Sequence, residues 1–213
     1  MRSSAAPIER RLAFTPPLDW DSLVSFIAMR AIPGVESVEE GAYRRTVRFG
    51  RREGTLRISR DGDRALRLVV DRRLRPDIEE IVRRARRLFD LDADPERIAR
   101  HLRRDRDLAP IVRRLPGLRV PGAFDGFETS IRAILGQQVS VKGATTLSGR
   151  LVAGFGRPMA GGTGALTHHF PEPAALAGAA IAGIGLPAAR AGAIRALAAA
   201  VRDKSISLDA APD

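Results

Sequence analysis

The stretch Phe127-Glu-Thr-Ser-Ile-Arg-Ala-Ile-Leu-Gly-Gln-Gln-Val-Ser-Val141 decides the fold of the second half of this chain. Apolar residues recur along it at helical spacing, so an amphipathic helix is expected. Asp125 and Glu128 have the spacing of a capping box, in which the first side chain accepts from the helix amides and the fourth reaches back. Ser140 can cap a second helix that runs to about Phe155. The sequence therefore predicts two helices joined by a short turn.

Upstream, the first seventy residues have the pattern of strands. Asp19 is a suitable cap for a helix from about Trp20 to Ala31. After this helix, side chains alternate with the period of two that is typical of a half-buried strand. The alternating runs are residues 43–49, 56–58 and 66–70, and a short strand at about 11–14 could precede the helix. Turns with glycine separate the later runs, so an antiparallel meander with one covering helix is predicted.

Helical patterns dominate after this sheet. One amphipathic helix is expected over 78–89, and Asp94-Pro95 begins a second, arginine-rich helix. The segment 115–122 contains two Pro-Gly pairs and is interpreted as a linker, which divides the chain into domains 1–115 and 116–213. The Gly- and Pro-rich residues 154–173 predict an irregular connection. A last helix follows from about Pro187 to Val201.

The charge of the chain suggests a polyanionic partner. There are 36 basic and 25 acidic side chains, a formal net charge of +11, and only Lys142 and Lys204 are lysines. Arginines that neutralise phosphates release counterions and provide affinity for any nucleic acid sequence. A GC-rich genome would also yield an Arg- and Ala-rich chain, and many of these arginines lie beside acidic residues. Charge alone therefore leaves nucleic-acid binding and a merely solvated surface as equal alternatives.

Composition argues against several other chemistries. The chain has no cysteine, which excludes disulfides and thiolate-held clusters, and no apolar run follows Met1. We therefore expect a cytoplasmic location. The three histidines lack carboxylate or cysteine partners at metal-binding spacing, and Gly161-Gly162-Thr163-Gly164 lacks the context of a phosphate loop. We predict neither a metal site nor a cofactor.

The quoted stretch resembles the signature of the helix-hairpin-helix DNA glycosylase superfamily, in its bacterial DNA-3-methyladenine glycosylase II branch. Four more segments fit this branch in the same order along the chain. They are Pro16-Pro17-Leu18-Asp19-Trp20 with Phe26 and Arg30, residues 87–91, residues 117–122, and Ile184-Gly185-Leu186-Pro187 with Arg190-Ala191. The resemblance implies an α+β fold. Domain 1–115 would hold an antiparallel sheet like that of TATA-binding protein, and domain 116–213 would begin an all-α glycosylase domain.

The resemblance also implies an activity: hydrolysis of the N-glycosidic bond of alkylated bases, such as 3-methyladenine, in duplex DNA. The enzyme would be a monomer that uses water and no cofactor. The target nucleotide must leave the stack, so one side chain fills the gap and an aromatic pocket holds the base. By resemblance Gln138, beside Gln137, enters the duplex, and Phe26 stacks on the electron-poor purine. Pattern alone would make the glutamines a helix end and Phe26 a core residue.

A catalytic carboxylate is the missing part. The family places it just beyond a Leu-Pro-Gly-Ile-Gly hairpin, where it stabilises the oxocarbenium-like sugar. Ala182-Gly183-Ile184-Gly185 superficially fits such a hairpin and would place the carboxylate near Asp209. The residues around Asp209 lack the family pattern, and Arg190-Ala191 fits the helix that precedes the hairpin. We therefore expect this chain to stop before the true motif, to contain no catalytic residue and to be inactive alone.

A function of another class stays open at this point. The chain is either part of an excising enzyme or a non-catalytic DNA-binding or structural remnant of the same fold. An arginine-rich RNA-binding domain is disfavoured, because the aromatic motifs of an RRM and the loop of a KH domain are absent from the sequence.

Overall fold

The computed structural model describes residues 6–208 and confirms the α+β class. Its five-stranded sheet has the order β1-β5-β4-β3-β2. The strands are β1 Ile8–Ala13, β2 Glu36–Glu39, β3 Ala42–Phe49, β4 Arg52–Arg60 and β5 Ala65–Val70. Strands β2 to β5 form the expected meander, and β1 adds antiparallel to the free edge of β5. The sequence therefore predicted four of the five strands and missed β2.

The register of the sheet follows from the apolar alternation. Leu12 of β1 lies opposite Leu66 of β5, and Leu68 of β5 lies opposite Ile58 of β4. All four side chains are buried. Because successive side chains point to opposite faces, a slip by one residue would expose this whole row.

Eight α-helices lie within the described residues. They are α1 Trp20–Ala28, α2 Ile78–Leu88, α3 Pro95–Leu102, α4 Leu108–Arg114, α5 Gly126–Leu135, α6 Val141–Phe155, α7 Pro173–Ala177 and α8 Ala188–Arg202. The predicted caps at Asp19 and Asp94 are confirmed, because their carboxylates accept from the amide of Ser22 at 3.1 Å and from the amides of Glu96 and Arg97. Among residues 6–208, no helix is long and apolar enough to cross a membrane.

The expected irregular connection at 154–173 is wrong. The structure has a hairpin there, formed by β6 Arg157–Thr163 and β7 Leu166–His169, with an irregular register between Pro158 and Thr163. Its turn includes Gly164 at φ +62°. The hairpin was missed because backbone pairing can form without the apolar alternation on which a strand prediction depends.

The chain forms two compact units. Within the described residues, the first unit contains 6–28, 38–44 and 54–124, and the second contains 29–37, 45–53 and 125–208. Strands β3 and β4 contribute residues to both units. The division into domains 1–115 and 116–213 stays a prediction, because compactness alone does not delimit folding domains.

Each unit has its own buried cluster. In the first, the ring of Phe89 lies 5.0 Å from that of Trp20 and 5.6 Å from that of Tyr43. The indole nitrogen of Trp20 donates to the carbonyl of Gly41 at 2.9 Å. Trp20 is therefore a packing residue of the first unit. In the second unit, helices α5, α6, α7 and α8 supply the apolar core, which includes Phe127, Ile131, Leu135, Leu151, Leu176 and Ile194.

Candidate functional site

The candidate site is the five-residue turn 136–140 between α5 and α6, here called the α5–α6 turn. Helix α5 ends with the cap residue Gly136, whose amide donates to the carbonyl of Arg132 at 2.9 Å. The hydroxyl of Ser140 accepts from the amide of Gly143 at 3.1 Å at the start of α6, which marks the end of the turn. At the far end of α5, the carboxylate of Asp125 accepts from the amide of Glu128 at 2.9 Å. Both predicted caps are therefore confirmed.

Gln138 has an unusual backbone conformation for its residue type. Its φ is +53°, in the left-handed region that side chains with a Cβ rarely adopt. Holding such a residue there costs about 1–3 kcal/mol, and residues of this kind cluster at functional sites. Gln137 and Gln138 are both exposed on the α5–α6 turn. The structure therefore brings these two candidate residues together.

Two valines near Gln138 are exposed on or beside the turn. Helical spacing of the apolar residues predicts burial for Val139, but the structure exposes it, and Val141 at the start of α6 is exposed as well. In proteins that insert into duplex DNA, exposed apolar side chains of this kind can wedge between base steps. Only their exposure in the structure draws attention to these two residues, because helical periodicity in the sequence cannot distinguish an exposed valine from one packed in the core.

The start of α6 is electrostatically suited to an anion. This 15-residue helix has no acidic residue in its first turn, and Lys142 is exposed there. The unpaired amides and the aligned peptide dipoles of a helix make its N-terminus positive. Lys142 adds a full positive charge to that end. A phosphate next to the α5–α6 turn would therefore be stabilised.

Glu128 has partners that the predicted capping box does not supply. Its carboxylate accepts from Arg45 at 2.6 Å. Glu128 belongs to a set of four charged residues, here called the buried charge quartet: Glu36, Arg45, Glu128 and Arg132.

The quartet alternates in charge. Arg45 lies 3.7 Å from Glu36 and 2.6 Å from Glu128, and Arg132 lies 3.0 Å from Glu36 and 3.6 Å from Glu128. Burial raises the pKa of Glu128, and the guanidinium group of Arg45 opposes that shift. Each carboxylate thus faces both arginines, which offsets part of the cost of burying these charges.

Phe26 and Asp209, the other two candidates, remain untested. Phe26 lies on α1 in the first unit, where Leu23, Val24 and Ile27 supply the buried face of the helix. Phe26 itself is 40% exposed, so packing in a core does not account for it. Its role in a base pocket stays a prediction. Asp209 lies outside the described residues.

The histidines do not gather into a metal site in residues 6–208, where no group of three or more His, Asp or Glu side chains could hold an ion. His168 contacts the Thr167 hydroxyl at 2.9 Å through Nδ1. His169 is buried, and its Nε2 lies 3.4 Å from the carboxylate of Glu53. Burial lowers the pKa of His169, which favours the neutral ring.

Comparison with solved structures defines the class of the fold, which is that of the DNA glycosylases. The 3-methyladenine DNA-glycosylase from Archaeoglobus fulgidus is similar with a TM-score of 0.74 at 22% identity, over 89% of this chain and 66% of that one. An 8-oxoguanine glycosylase/lyase of Clostridium acetobutylicum, solved with double-stranded DNA, has a TM-score of 0.60 at 16% identity, over 82% and 57% of the two chains.

Sequence comparison then defines the family. Residues 9–125 match the model of the AlkA N-terminal domain. The DNA-3-methyladenine glycosylase 2 of Escherichia coli is 33% identical over 201 residues, which are 92% of this chain and 68% of that protein. The chain therefore belongs to the AlkA family of DNA-3-methyladenine glycosylases.

A longer relative gives the higher identity. The probable bifunctional transcriptional activator/DNA repair enzyme AlkA of Mycobacterium tuberculosis is 42% identical over 211 residues. The match covers 99% of this chain and 42% of that protein. The chain thus spans less than half the length of this relative.

Proposed function

We propose that this chain supplies the DNA-binding and base-flipping part of an N-glycosylase that removes alkylated bases of the 3-methyladenine type from duplex DNA. The reaction is hydrolysis of the N-glycosidic bond by water, without a cofactor. Its partner is duplex DNA with an alkylated base, and we expect a monomer in the cytoplasm. The observation that carries the proposal is the left-handed Gln138 on an exposed turn in a member of this family.

Base flipping explains why the α5–α6 turn has this composition. Extruding a nucleotide leaves a gap in the stack and an orphaned base opposite it. The amide of Gln138 can occupy the gap and hydrogen-bond to that base, while Val139 and Val141 offer apolar contact to the neighbouring steps. Lys142 and the α6 amides can hold a backbone phosphate. Phe26 would stack on the flipped base, whose positive charge favours an aromatic face.

We propose that base excision requires a catalytic carboxylate that these 213 residues do not supply. The family's catalytic carboxylate has no convincing match here, because the surroundings of Asp209 lack its pattern. Losing an electrostatic stabiliser of the transition state costs about 10²–10³ in rate. We therefore expect no multiple turnover in a base-release assay on methylated duplex. Clear turnover that Asp209→Asn abolishes would instead make Asp209 the catalytic residue.

The insertion role is tested with Gln138→Gly. Glycine adopts a positive φ without strain, so this variant removes the side chain and preserves the backbone. Affinity of the 213-residue chain is measured for a duplex with an abasic analogue and for an undamaged duplex, with a fluorescent base opposite the gap. We expect the preference for the abasic analogue to fall about tenfold, with loss of the fluorescence change.

Glu40→Gly is the matched control, because Glu40 is also an exposed residue other than glycine at positive φ, +51°. It should keep the wild-type preference. If Gln138→Gly retains both the preference and the fluorescence change, the insertion role is wrong. If the wild-type chain binds no duplex at low salt, DNA binding itself is wrong, since phosphate contacts are strongest there.

A further inference from the structure

We propose that the buried charge quartet is a positioning device for the α5–α6 turn, an inference that rests on the proposed function. Three of its members, Glu36, Arg45 and Glu128, have side chains no more than 5% exposed, and Arg132 is 28% exposed. Two acidic and two basic groups give the quartet no net charge. Apolar residues of similar volume would often stabilise a fold at least as well. The quartet therefore calls for an explanation beyond stability.

Its hydrogen bonds extend into residues 29–36, here called segment 29–36, which runs from the end of α1 to the first residue of β2. The carboxylate of Glu36 accepts from the amide of Ile32 at 3.1 Å, and Arg132 donates to the carbonyl of Arg30 at 2.7 Å. Directed bonds of this kind fix both distance and angle, which apolar packing does not. The last turn of α5 is thereby held against segment 29–36.

Helix α6 contacts the same segment by other means. The hydroxyl of Thr145 lies 3.4 Å from the carbonyl of Met29, and Val152 packs in a cluster with Ile32 and Val35. A Cβ added at Gly149 would lie 3.1 Å from the Pro33 ring, so the helix approaches closely there. Both helices that flank the turn are thus positioned from segment 29–36.

The hydrogen bonds of the turn are made to the two helices that flank it: the amide of Gln137 donates to the carbonyl of Ile134, and the hydroxyl of Ser140 accepts from the amide of Gly143. Residues 137–140 are all exposed, so their position depends on the ends of α5 and α6. Arg132 lies in the last turn of α5, and its own carbonyl accepts from the amide of Gly136 at 2.9 Å. A shift of Arg132 therefore moves the first residue of the turn. A displacement of a functional group by about 1 Å, caused by a mutation elsewhere in the protein, can lower the rate of a reaction about 10²-fold.

The test is Arg132→Met, which removes the charge and its hydrogen bonds and keeps a long side chain. We measure the ratio of affinities for an abasic-analogue duplex and an undamaged duplex, the fluorescence of a base opposite the gap, and urea stability. Arg48→Met is the matched control: it is the same substitution in the same unit, at an arginine that pairs with Glu172 and is not a quartet member. We expect Arg132→Met to lower the affinity ratio about tenfold and Arg48→Met to keep it.

The double variant Glu36→Gln/Arg132→Met separates positioning from stability. It leaves Arg45 and Glu128 as a neutral pair, so stability should return toward the wild-type value. If the quartet positions the turn, the double variant still lacks the hydrogen bonds of Arg132, and the affinity ratio should stay low. Recovery of the ratio together with stability would overturn the proposal. The double variant also decides the question if Arg132→Met alone does not fold.

Other outcomes are equally decisive. A wild-type ratio in Arg132→Met, or an equal loss in Arg48→Met, overturns the positioning role while the proposed function stands. A wild-type chain with no preference for the abasic analogue overturns the proposed function and the positioning role together. The two failures are therefore distinguished by the wild-type measurement alone.

Discussion

Each compact unit buries arginine, and the two do so in opposite ways. In the first unit Arg119 is 6% exposed and donates to the backbone carbonyls of Thr15 and Asp90. Its guanidinium group also lies 5.8 Å from the centre of the Phe14 ring. In the second unit, Arg45 and Arg132 face the carboxylates of Glu36 and Glu128. One site uses neutral acceptors, and the other uses charges.

The difference shows what each site contributes. Carbonyl groups accept from the two terminal nitrogens of Arg119. Burial lowers the pKa of Arg119, and the charges of Asp90 and Asp92 oppose that shift. This arginine ties separate loops of the first unit together. In the quartet each charge is neutralised by its neighbours, so removing one leaves another buried and uncompensated. Single substitutions should therefore cost more in the quartet than at Arg119.

The largest effect is expected for Arg45→Met. It leaves the two buried carboxylates of the quartet with one arginine instead of two, and the free energy of unfolding should fall by about 3–5 kcal/mol. Urea unfolding measures the loss. Arg44→Met is the control, because Arg44 forms an exposed pair with Glu39, and such pairs contribute about 0–1 kcal/mol. Equal losses in the two variants would contradict a special role for buried charge.

A smaller effect is expected for Arg119→Met. Hydrogen bonds to a charged group contribute about 1.5–3 kcal/mol, and this variant leaves the carbonyls of Thr15 and Asp90 without their donor. Arg119→Lys keeps the charge, but one ammonium group cannot replace two guanidinium nitrogens that donate to two different loops. This variant should therefore recover only part of the lost free energy of unfolding. If Arg119→Met proves more damaging than Arg45→Met, the contrast between the two sites is wrong.

The smallest effect on stability is expected for His169. Its basic side chain is buried in the neutral form, unlike the two kinds of buried arginine. Glu53, Arg48 and Arg157 act on its charge, and burial is the dominant influence on its lowered pKa. Below the ordinary value near 6.5 the unfolded chain binds more protons than the folded chain, so stability should decrease as the pH falls through that range.

The measurement is the urea midpoint between about pH 7.5 and pH 5, with His169→Asn beside the wild type. The wild type should lose more stability on acidification than the variant. His101→Asn is the control, since His101 is exposed on α3. Identical pH profiles for the wild type and His169→Asn would show that His169 does not bury a neutral ring.

Local signals made much of the fold predictable. The caps at Asp125 and Ser140 are decided by residues three positions apart, and they place the starts of α5 and α6 correctly. Apolar alternation likewise predicted strands β3, β4 and β5. Strand β2 was missed because it begins with the charged Glu36, which sequence patterns assign to the surface although the structure buries it.

Only the tertiary structure decided the role of Glu128. Its partner Arg45 is 83 residues away, and Glu36 is 96 residues from Arg132. A capping box and a buried salt bridge require the same residue type at the same position, so the sequence cannot choose between them.

The sequence by itself determined the helices around the turn, the meander and the family, because spacing, caps and alternation act within a few residues. The tertiary structure decided which glutamates are buried, that Gln138 has a left-handed backbone and that Val139 is exposed. These properties depend on what the rest of the chain brings near each residue. Burial and pairing are interactions over long sequence distances, and no local pattern encodes them.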